Sequence, residues 1–309
     1  MNVLSLFDGM SCGQIALNKI GIDYENYYAS EIDKYAIQVT QHNYPETIQI
    51  GDVTQVKGTD LPKIDLLIGG SPCQSFSRSG DNTGFDGKSG LFWEYVRILN
   101  EVKPTYFLLE NVVMKKEWEN IITEAIGVES VMIDSKFFSA QKRQRLYWTN
   151  IPFNKNIEDK NIHILDILIP TGEEKIINDH ILVLDINDEG FKIKNGTKTG
   201  YLYAKEGDCV NLEFPKSQNR RGRVSYGKTN TINTACNYGV IVNGNLRELN
   251  ITEYERLQTL PDGYTSMISL NQRKNVLGNG WTVDVIAHIL SFMNNIEDNP
   301  STNDNVPII

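Results

Sequence analysis

The first 150 residues alternate short β-rich runs with stretches of helical period. Each β-rich run consists mostly of apolar, β-branched or aromatic residues. The stretch that follows it has apolar residues at intervals of three or four positions, as on one face of a helix. This alternation predicts parallel strands joined by right-handed crossovers, and hence a doubly wound α/β sheet. Strands are predicted at residues 3–7, 27–31, 47–50, 64–68, 106–110, 131–134 and 146–149, and helices at 14–20, 34–43, 91–102 and 118–126.

The pattern changes after residue 150. From 151 to 250, short alternating runs are separated by turn signals such as Asn195-Gly196 and Asn243-Gly244, which indicate a small, mainly β insert. Helical patterns return at 252–258 and 283–292, and we expect the second to pack back onto the first sheet. Residues 294–309, rich in Asn, Asp and Pro, are expected to form a loose tail. We therefore predict one domain from 1–150 plus 271–309 and another from 151–270.

Composition narrows the class of protein. With 309 residues, 40% hydrophobic and 22% charged, the sequence is typical of a globular protein. No run approaches the roughly 18 apolar residues of a membrane-spanning helix, and the N-terminus lacks signal-peptide features, so we expect a cytoplasmic protein without membrane contact. The four cysteines form no CxxC pair and have no close-set histidines, which argues against a metal site.

Charge gives two opposing indications. The net charge of −9, from 30 basic and 39 acidic residues, argues against nucleic acid as a partner when it is averaged over the chain. A patch of local positive charge can still bind phosphates, because screening limits distant repulsion to about 8–10 Å. A solvated charged loop is the alternative interpretation. The segment 214–228 contains no acidic residue and five basic ones, Lys216, Arg220, Arg221, Arg223 and Lys228.

Three predicted strands end in residues suited to a nucleoside. The first leads into a turn of small residues, 7–13, that begins a helix and lets a ligand approach the helix N-terminus. Glu31 closes the second strand, where a carboxylate can hold ribose hydroxyls, and Asp52 follows the third, where it can meet an adenine edge. A plain tight turn is the alternative for 7–13, but acids after two successive strands favour a nucleoside cofactor.

A candidate nucleophile follows the fourth predicted strand. The chain there reads Pro72-Cys73-Gln74 and enters a Gly/Ser-rich loop through Gly90. A lone cysteine is most often buried filler. Doubly wound sheets place their chemistry at the carboxyl ends of strands, however, and this position favours a nucleophile. Glu110 ends the fifth strand at the same edge.

Four motifs follow one another along the chain: Pro72-Cys73-Gln74, Glu110-Asn111-Val112, Gln141-Lys-Arg143-Gln-Arg145 and Gly278-Asn279. In this order they resemble the motifs of the DNA cytosine (carbon-5) methyltransferases. The resemblance spans nearly the whole chain except residues 151–215. Segment 110–113 looks like the eukaryotic de novo branch, whereas 141–143 looks more like the bacterial and phage enzymes. The resemblance as a whole implies a compact enzyme with a Rossmann-like methyltransferase sheet and a small, mainly β target-recognition domain.

The resemblance also implies a reaction. Carbon-5 of cytosine is a poor methyl acceptor, so a thiolate must first add at carbon-6. Cys73 matches that nucleophile, and Glu110 in its protonated form matches the group that contacts ring N3. Arg145 matches the guanidinium that holds the cytosine carbonyl, with Arg143 beside the cysteine. The methyl group comes from S-adenosyl-L-methionine, which leaves S-adenosyl-L-homocysteine, and the target base is flipped out of the duplex at a cost of roughly a few kcal/mol.

Cofactor contacts follow from the same resemblance. Phe7 matches a residue that stacks on adenine, and Gly9 one that allows close approach. Glu31 matches the ribose ligand and Asp52 the contact to the adenine amino group. Asp8 departs from the small residue of many bacterial members. Further matched positions along the cofactor wall are Ile32, Val53, Pro72, Leu91, Asn279 and Trp281.

Residues 151–250 occupy the family's target-recognition position, which implies double-stranded DNA as the partner. Segment 222–234 resembles the conserved end of that region, where a Thr-aliphatic pair supports the flipped nucleotide. A monomer is expected, with a cognate restriction endonuclease as a candidate partner. The candidate DNA contacts are Gln74, Ser77, Arg220, Arg221, Arg223 and Thr231.

Two alternatives stay open. An RNA methyltransferase of the transfer-RNA branch has the same fold, but its Cys-Phe-Thr context differs from Cys73-Gln74. A catalytically dead DNA-binding relative would have lost the cysteine, the glutamate or the cofactor turn, and all are present here. An amino-group methyltransferase is disfavoured, because it would carry a Pro-Pro-aromatic motif in place of Pro72-Cys73-Gln74.

Overall fold

The computed structural model describes residues 1–72, 88–170, 176–177 and 181–293. Cys73, Gln74, Ser77 and the expected tail at 294–309 lie outside the described residues. The chain divides into two compact units, the first from the described residues of 1–134, 144–157 and 283 onwards, the second from those of 135–143 and 158–282. The functional division predicted at residues 150 and 271 stays a prediction.

All predicted strands and helices of the first 150 residues are present within two residues of their predicted ends. The strands are β1 (Asn2–Leu6), β2 (Asn26–Ser30), β3 (Ile48–Gln49), β4 (Leu66–Gly70), β5 (Tyr106–Val112), β6 (Val131–Asp134), β7 (Gln144–Thr149), β8 (Val183–Asn187), β9 (Gly190–Lys194), β10 (Tyr201–Ala204), β11 (Cys209–Asn211), β12 (Val224–Ser225), β13 (Tyr238–Val242) and β14 (Asn245–Glu248). The α-helices are α1 (Cys12–Lys19), α2 (Lys34–Asn43), α3 (Phe92–Val102), α4 (Lys116–Ile126), α5 (Ile251–Leu257), α6 (Leu270–Asn279) and α7 (Val283–Leu290).

The first unit contains a seven-stranded sheet in the order β3-β2-β1-β4-β5-β7-β6. Strands β1 to β5 pair in parallel, which confirms the doubly wound α/β class. The prediction that every strand is parallel was wrong for β7, which runs antiparallel to both β5 and β6. The reason is the short connection 135–143 between β6 and β7, since a parallel return needs a crossover of about a dozen residues or more.

The strand order changes direction between β1 and β4, and this switch point is where doubly wound sheets bind ligands. Leu4, Leu67 and Leu109 on the three central strands are fully buried, as expected of strands covered on both faces. Helix α1 lies close to β4, because a side chain at Gly13 would meet Ile68 Cδ1 at 2.3 Å. Helix α7 returns to this unit and packs against α1, where Asp284 pairs with Lys19.

The second unit is mainly β, as predicted. It holds a three-stranded sheet, β10-β9-β8, and a four-stranded sheet, β12-β11-β13-β14. The Asn243-Gly244 turn joins β13 to β14 with both residues at positive φ, as a two-residue hairpin turn requires. Helix α6 was not predicted, because most of its residues are polar and only Val276, Leu277 and Gly278 are buried. Among the described residues, no helix is long and apolar enough to cross a membrane.

A buried ion pair ties β14 to α5. The Arg247 guanidinium donates to both carboxylate oxygens of Glu253, at 2.9 and 2.7 Å, and the two side chains are 3% and 0% exposed. Glu253 also accepts from the backbone N–H groups of Ile169 and Asn250. Its carboxylate therefore joins three segments of the chain.

A buried carboxyl lies in the turn between β1 and α1. Tyr27 Oη donates to Asp8 Oδ1 at 2.9 Å. Burial raises the pKa of Asp8 from 3.8 to about 6, and the neighbouring Glu31 charge acts in the same direction. Hydrogen bonds from Ser5, Ser11 and Tyr27 oppose this increase in the Asp8 pKa.

We expect Glu253→Gln to lower the free energy of unfolding of the second unit by about 3–5 kcal/mol, because it leaves the Arg247 charge buried without a counterion. The matched control is Asp262→Asn, which removes a carboxylate from the Arg256–Asp262 pair, where the side chains are 32% and 51% exposed. This change should cost less than about 1 kcal/mol. Hydrogen exchange of the backbone amides in α5 and β14 measures the change in unfolding free energy of each variant. Equal losses of stability in the two variants would contradict the structural role of the Arg247–Glu253 pair.

The Asp8 pKa predicts a pH dependence of stability. An acid whose folded pKa lies above its unfolded pKa favours folding when it is protonated. The stabilisation that protonated Asp8 gives to the folded state is therefore complete below about pH 4 and is lost as the pH rises through about 6. It amounts to at most about 3 kcal/mol. Asp8→Asn should remove this loss and raise the melting temperature at pH 7.5 relative to the wild type. Melting curves from pH 4 to 8 test this, and parallel curves for both proteins would contradict it.

Candidate functional site

The turn after β1 is held in an unusual backbone conformation. Phe7, Gly9 and Ser11 all have positive φ, at 57°, 60° and 62°. The Asp8 N–H donates to the carbonyl of Ser30 at 3.1 Å, which ties the turn to the end of β2. Nothing lies within 4 Å of where a side chain at Gly9 would begin, so the backbone is open to a ligand there.

Glu31 lies directly beside this turn. Its Oε2 accepts from the Gly9 N–H at 2.8 Å, and its Oε1 accepts from the N–H groups of Ile32 and Asp33 at 2.7 and 2.9 Å. Three backbone donors thus fix the orientation of the carboxylate. Ile32 follows it with 73% of its surface exposed, which is unusual for an isoleucine and suits an apolar ligand surface.

Asp52 follows β3 at the same edge of the sheet. Its Oδ1 accepts from the N–H and the hydroxyl of Thr54, both at 2.9 Å, so it caps the short helical turn that starts at Val53. Val53 itself is buried in the core. Ser30 Oγ donates to the Gly51 carbonyl at 2.7 Å and joins the ends of β2 and β3.

Glu110 and Arg145 form an ion pair at the end of β5. Arg145 Nε lies 3.0 Å from Glu110 Oε1, and the side chains are only 14% and 11% exposed. Glu110 is opposite Tyr147 of β7, and Arg145 is two residues along the same strand, so the two side chains share one face of the sheet. The structure therefore brings together two of the predicted catalytic residues.

Asn111 anchors the end of the neighbouring strand, a role that the sequence analysis did not assign. Its Nδ2 donates to Ser71 Oγ at 2.9 Å and to the Ser71 carbonyl at 3.3 Å. Ser71 and Asn111 are both buried, and Pro72 follows, half-buried. The sequence signal that could have revealed this role is the asparagine that directly follows Glu110. Cys73 comes next in the sequence and lies outside the described residues.

The three described cysteines are buried. Burial raises the pKa of Cys236 to about 12 and that of Cys209 further still, so both remain neutral thiols at pH 7. Neither of these two has the thiolate that a nucleophile needs. Among the described residues, no group of three His, Cys, Asp or Glu side chains is arranged to hold a metal ion.

Arg143 belongs to the second unit and makes structural contacts there. Its guanidinium donates to the carbonyls of Ile232, Gly278 and Gly280 at 3.0, 3.1 and 3.0 Å, and the side chain is 3% exposed. Gly278 packs so closely that a side chain would come within 2.3 Å of the Thr234 nitrogen. These contacts give Arg143 and Gly278 structural roles in the second unit. The catalytic role of Arg143 stays a prediction.

The segment around Arg143 is paired with the end of the insert. Gln141 forms a bridge with Thr229, and Thr231 Oγ1 donates to the Lys142 carbonyl at 2.9 Å. Gln141 also donates to Gln258 Oε1 at 3.1 Å, which makes both glutamines part of one buried network. The buried network of these two glutamines could not be predicted from the sequence, because a buried amide has no sequence signature of its own.

The predicted cofactor-wall residues are distributed over both units. Leu91 packs against the core of the first unit. Asn279 and Trp281 belong to the second unit, where Asn279 is exposed and donates to Asn275 Oδ1 at 3.0 Å, and Trp281 is half-buried.

The arginines of the insert differ in exposure. Arg223 is fully buried and donates to the carbonyls of Asn211, Glu213 and Phe214, so in this conformation its guanidinium is not available to DNA. Arg220 is partly buried and pairs with Glu213. Arg221 is exposed, and its Nε donates to the Gly196 carbonyl at 3.1 Å.

Comparison with known proteins shows the family. The model of the C-5 cytosine-specific DNA methylases matches residues 1–295. Type II methyltransferase M.HhaI of Haemophilus parahaemolyticus is 28% identical over 320 residues, which cover 94% of this chain and 93% of that protein. Orphan methyltransferase M.SPRI of Bacillus phage SPR is 41% identical over 161 residues, or 48% of this chain. The chain spans only 37% and 32% of the first two phage relatives.

Solved structures agree on the fold. A DNA modification methyltransferase encoded within an E. coli prophage has a TM-score of 0.66 and 20% identity, covering 96% of this chain and 99% of that chain. Spodoptera frugiperda DNMT2 has a TM-score of 0.61 and 20% identity, covering 94% and 98%. Identities this low support the fold alone. The match over residues 1–295 shows that the chain belongs to the C-5 cytosine-specific DNA methylase family.

Proposed function

We propose that this protein transfers a methyl group from S-adenosyl-L-methionine to carbon-5 of cytosine in double-stranded DNA, with Cys73 as the nucleophile. The observation that carries the proposal is the arrangement at the end of β5. Glu110 is held by Arg145 there, and the next residue, Asn111, anchors Ser71. Ser71 is two residues before Cys73 in the sequence, and the end of β5 therefore holds both the proposed acid Glu110 and the strand end that leads to the proposed nucleophile.

Each residue has a defined task in this proposal. The Cys73 sulfur forms a bond to carbon-6, while protonated Glu110 donates to ring N3 and draws electron density from the ring. Arg145 orients Glu110 and offers its remaining N–H groups to the cytosine carbonyl. Carbon-5 then accepts the methyl group. Loss of the carbon-5 proton to water, return of the N3 proton to Glu110 and departure of the Cys73 thiolate restore the aromatic ring.

The ends of β1, β2 and β3 fit the cofactor. The open backbone at Gly9 admits a ligand, and the Glu31 carboxylate, oriented by three N–H donors, retains one lone pair, on Oε2, for a ribose hydroxyl. Exposed Ile32 offers an apolar surface to an adenine ring, and Asp52 lies at the next strand end. When bound, S-adenosyl-L-methionine supplies an electrophilic methyl group on its sulfonium.

The relatives' names suggest the biological setting. M.HhaI is named a type II methyltransferase and M.SPRI an orphan methyltransferase. Methylation of specific DNA sites, with or without a cognate endonuclease, is therefore the setting we propose. The endonuclease and the monomeric state remain predictions.

Cys73→Ser should abolish methyl transfer and leave cofactor binding intact, because only the covalent step is removed. Bisulfite sequencing of plasmid from cells expressing each protein measures transfer, and calorimetry with S-adenosyl-L-homocysteine measures binding. The matched control is Cys236→Ser, which should retain activity, since that buried thiol donates to the carbonyls of Asn233 and Lys274 and a hydroxyl can do the same. Wild-type rates from Cys73→Ser would overturn the proposal. If transfer RNA became methylated while the plasmid stayed unmodified, the substrate would be RNA and not DNA.

Glu110→Gln should reduce the methylation rate by about 10²–10⁴-fold, because an amide cannot donate a proton to ring N3. The control Glu117→Gln, an exposed residue of α4, should have no effect. Single-turnover methylation of duplex DNA measures the chemical step directly. A rate within twofold of the wild type would show that Glu110 has only a structural role.

A further inference from the structure

The chain is acidic, yet two segments of the insert contain no acidic residue. Segment 191–205 has four lysines, and segment 214–228 has five basic residues, within a sequence of net charge −9. Such segregation favours contact with a polyanion, because local charge governs binding within a Debye length of about 8–10 Å. The first segment includes strands β9 and β10, which contain none of the individual residues predicted to contact DNA.

One face of the β9–β10 pair carries alternating lysines and tyrosines. Lys192 lies opposite Tyr203, and Lys194 opposite Tyr201, in the antiparallel register. Side chains alternate between faces along a strand, so these four residues share one face, while Phe191 and Ile193 point to the other. We call Lys192, Lys194, Tyr201 and Tyr203 the lysine–tyrosine face.

The opposite face of the same strands is the buried one. Phe191, Ile193 and Ala204 belong to a core cluster with residues of β11, β13 and β14. Burial of that face fixes the lysine–tyrosine face outward, where its four side chains are half-buried. Its aromatic rings are ordered by mutual contact: the Tyr201 and Tyr203 ring centroids lie 5.5 Å apart, edge to face, and Lys192 Nζ lies 4.1 Å from the Tyr201 ring centroid.

The second acid-free segment is joined to this sheet. The Gly196 N–H donates to the Arg220 carbonyl at 2.7 Å, and Arg221 Nε donates to the Gly196 carbonyl at 3.1 Å. A side chain at Gly196 would come within 2.5 Å of Asn219, so the two loops are in close contact. Exposed Arg221 therefore extends the positive charge of Lys194 and of exposed Lys198.

Acidic side chains are present at the margins of this surface. Asp185 of β8 lies opposite Lys192 in register, and Glu213 pairs with Arg220. Arg223 and Lys228 donate to backbone carbonyls. Apart from Arg220, Arg223 and Lys228, the basic residues of the two segments are Lys192, Lys194, Lys198, Lys205, Lys216 and Arg221. Of these, Lys192, Lys194, Lys198 and Arg221 belong to the lysine–tyrosine face or to the loops that adjoin it.

We infer that the lysine–tyrosine face, continued by Lys198 and Arg221, is the surface through which this protein binds duplex DNA. The inference rests on the proposed function and deepens it by locating the DNA contact. The face belongs to the three-stranded sheet β10-β9-β8, and β-sheets of some DNA-binding proteins place strands in the major groove, which is about 12 Å wide. Lysines two residues apart on a strand are roughly 7 Å apart. The lysines contact phosphates, and the tyrosines meet base edges with their hydroxyls and rings.

The double variant Lys192→Gln/Lys194→Gln tests the phosphate contacts. Fluorescence anisotropy of the full chain with a duplex DNA at several salt concentrations gives the slope of log K against log salt. We expect this slope to fall in magnitude by about 2, because each phosphate contact contributes roughly 0.9. The control Lys57→Gln/Lys155→Gln has the same charge change at two exposed lysines outside both acid-free segments and should leave the slope nearly unchanged.

The outcomes separate the two proposals. If the wild type methylates DNA and both double variants have the same slope, the inferred surface is wrong and the proposed function stands. If the wild type neither binds nor methylates DNA, the proposed function itself fails. Tighter, more salt-dependent binding of structured RNA would replace duplex DNA as the partner of this face.

Tyr201→Phe/Tyr203→Phe tests base recognition without disturbing the packing of the rings. Bisulfite sequencing should reveal methylation at additional sites beyond the wild-type motif, because the hydroxyl contacts that discriminate bases are lost. The salt slope of this variant should remain that of the wild type. An unchanged motif and unchanged methylation rates would show that the tyrosines do not read the DNA sequence.

Discussion

The antiparallel placement of β7 beside β5 is the constraint on which the candidate site depends. Because β7 runs back along β5, Arg145 comes to lie on the same face as Glu110 and pairs with it at 3.0 Å. If β7 ran parallel to β5, Arg145 would lie beside the start of β5, away from Glu110. The one strand that departs from the parallel pattern therefore brings the acid and its guanidinium together.

Arginine serves two physical purposes in this molecule. Arg143, Arg223 and Arg247 are nearly or fully buried, and their guanidinium groups bind backbone carbonyls or a buried carboxylate. The fork of five N–H donors suits this, since one side chain can join several segments. Arg145 and Arg221 retain some exposure, and they are the two arginines to which we assign ligand contacts. Counting basic residues in a segment does not distinguish these uses.

The sheet and the first helices could be predicted because their signals are local. Strand and helix ends within the first 150 residues lie within two residues of prediction, since hydrophobic period, Gly turns and strand-end acids are read from neighbouring positions. Helix α6 had no such signal. Its polar residues become helical in a tertiary setting where Gly278 packs against Asn233 and Thr234. The role of Asn111 also needed the structure, because Ser71 is forty residues away in sequence.

The sequence by itself determined the α/β class, the order of the strand-end residues Glu31, Asp52 and Glu110, and the family resemblance, because these depend on residue type and spacing along the chain. Tertiary structure alone decided that β7 is antiparallel and that Arg223 is buried. It also decided that the lysines of β9 share a face with the tyrosines of β10. These outcomes depend on strand pairing and burial, which are set by contacts between residues distant in sequence.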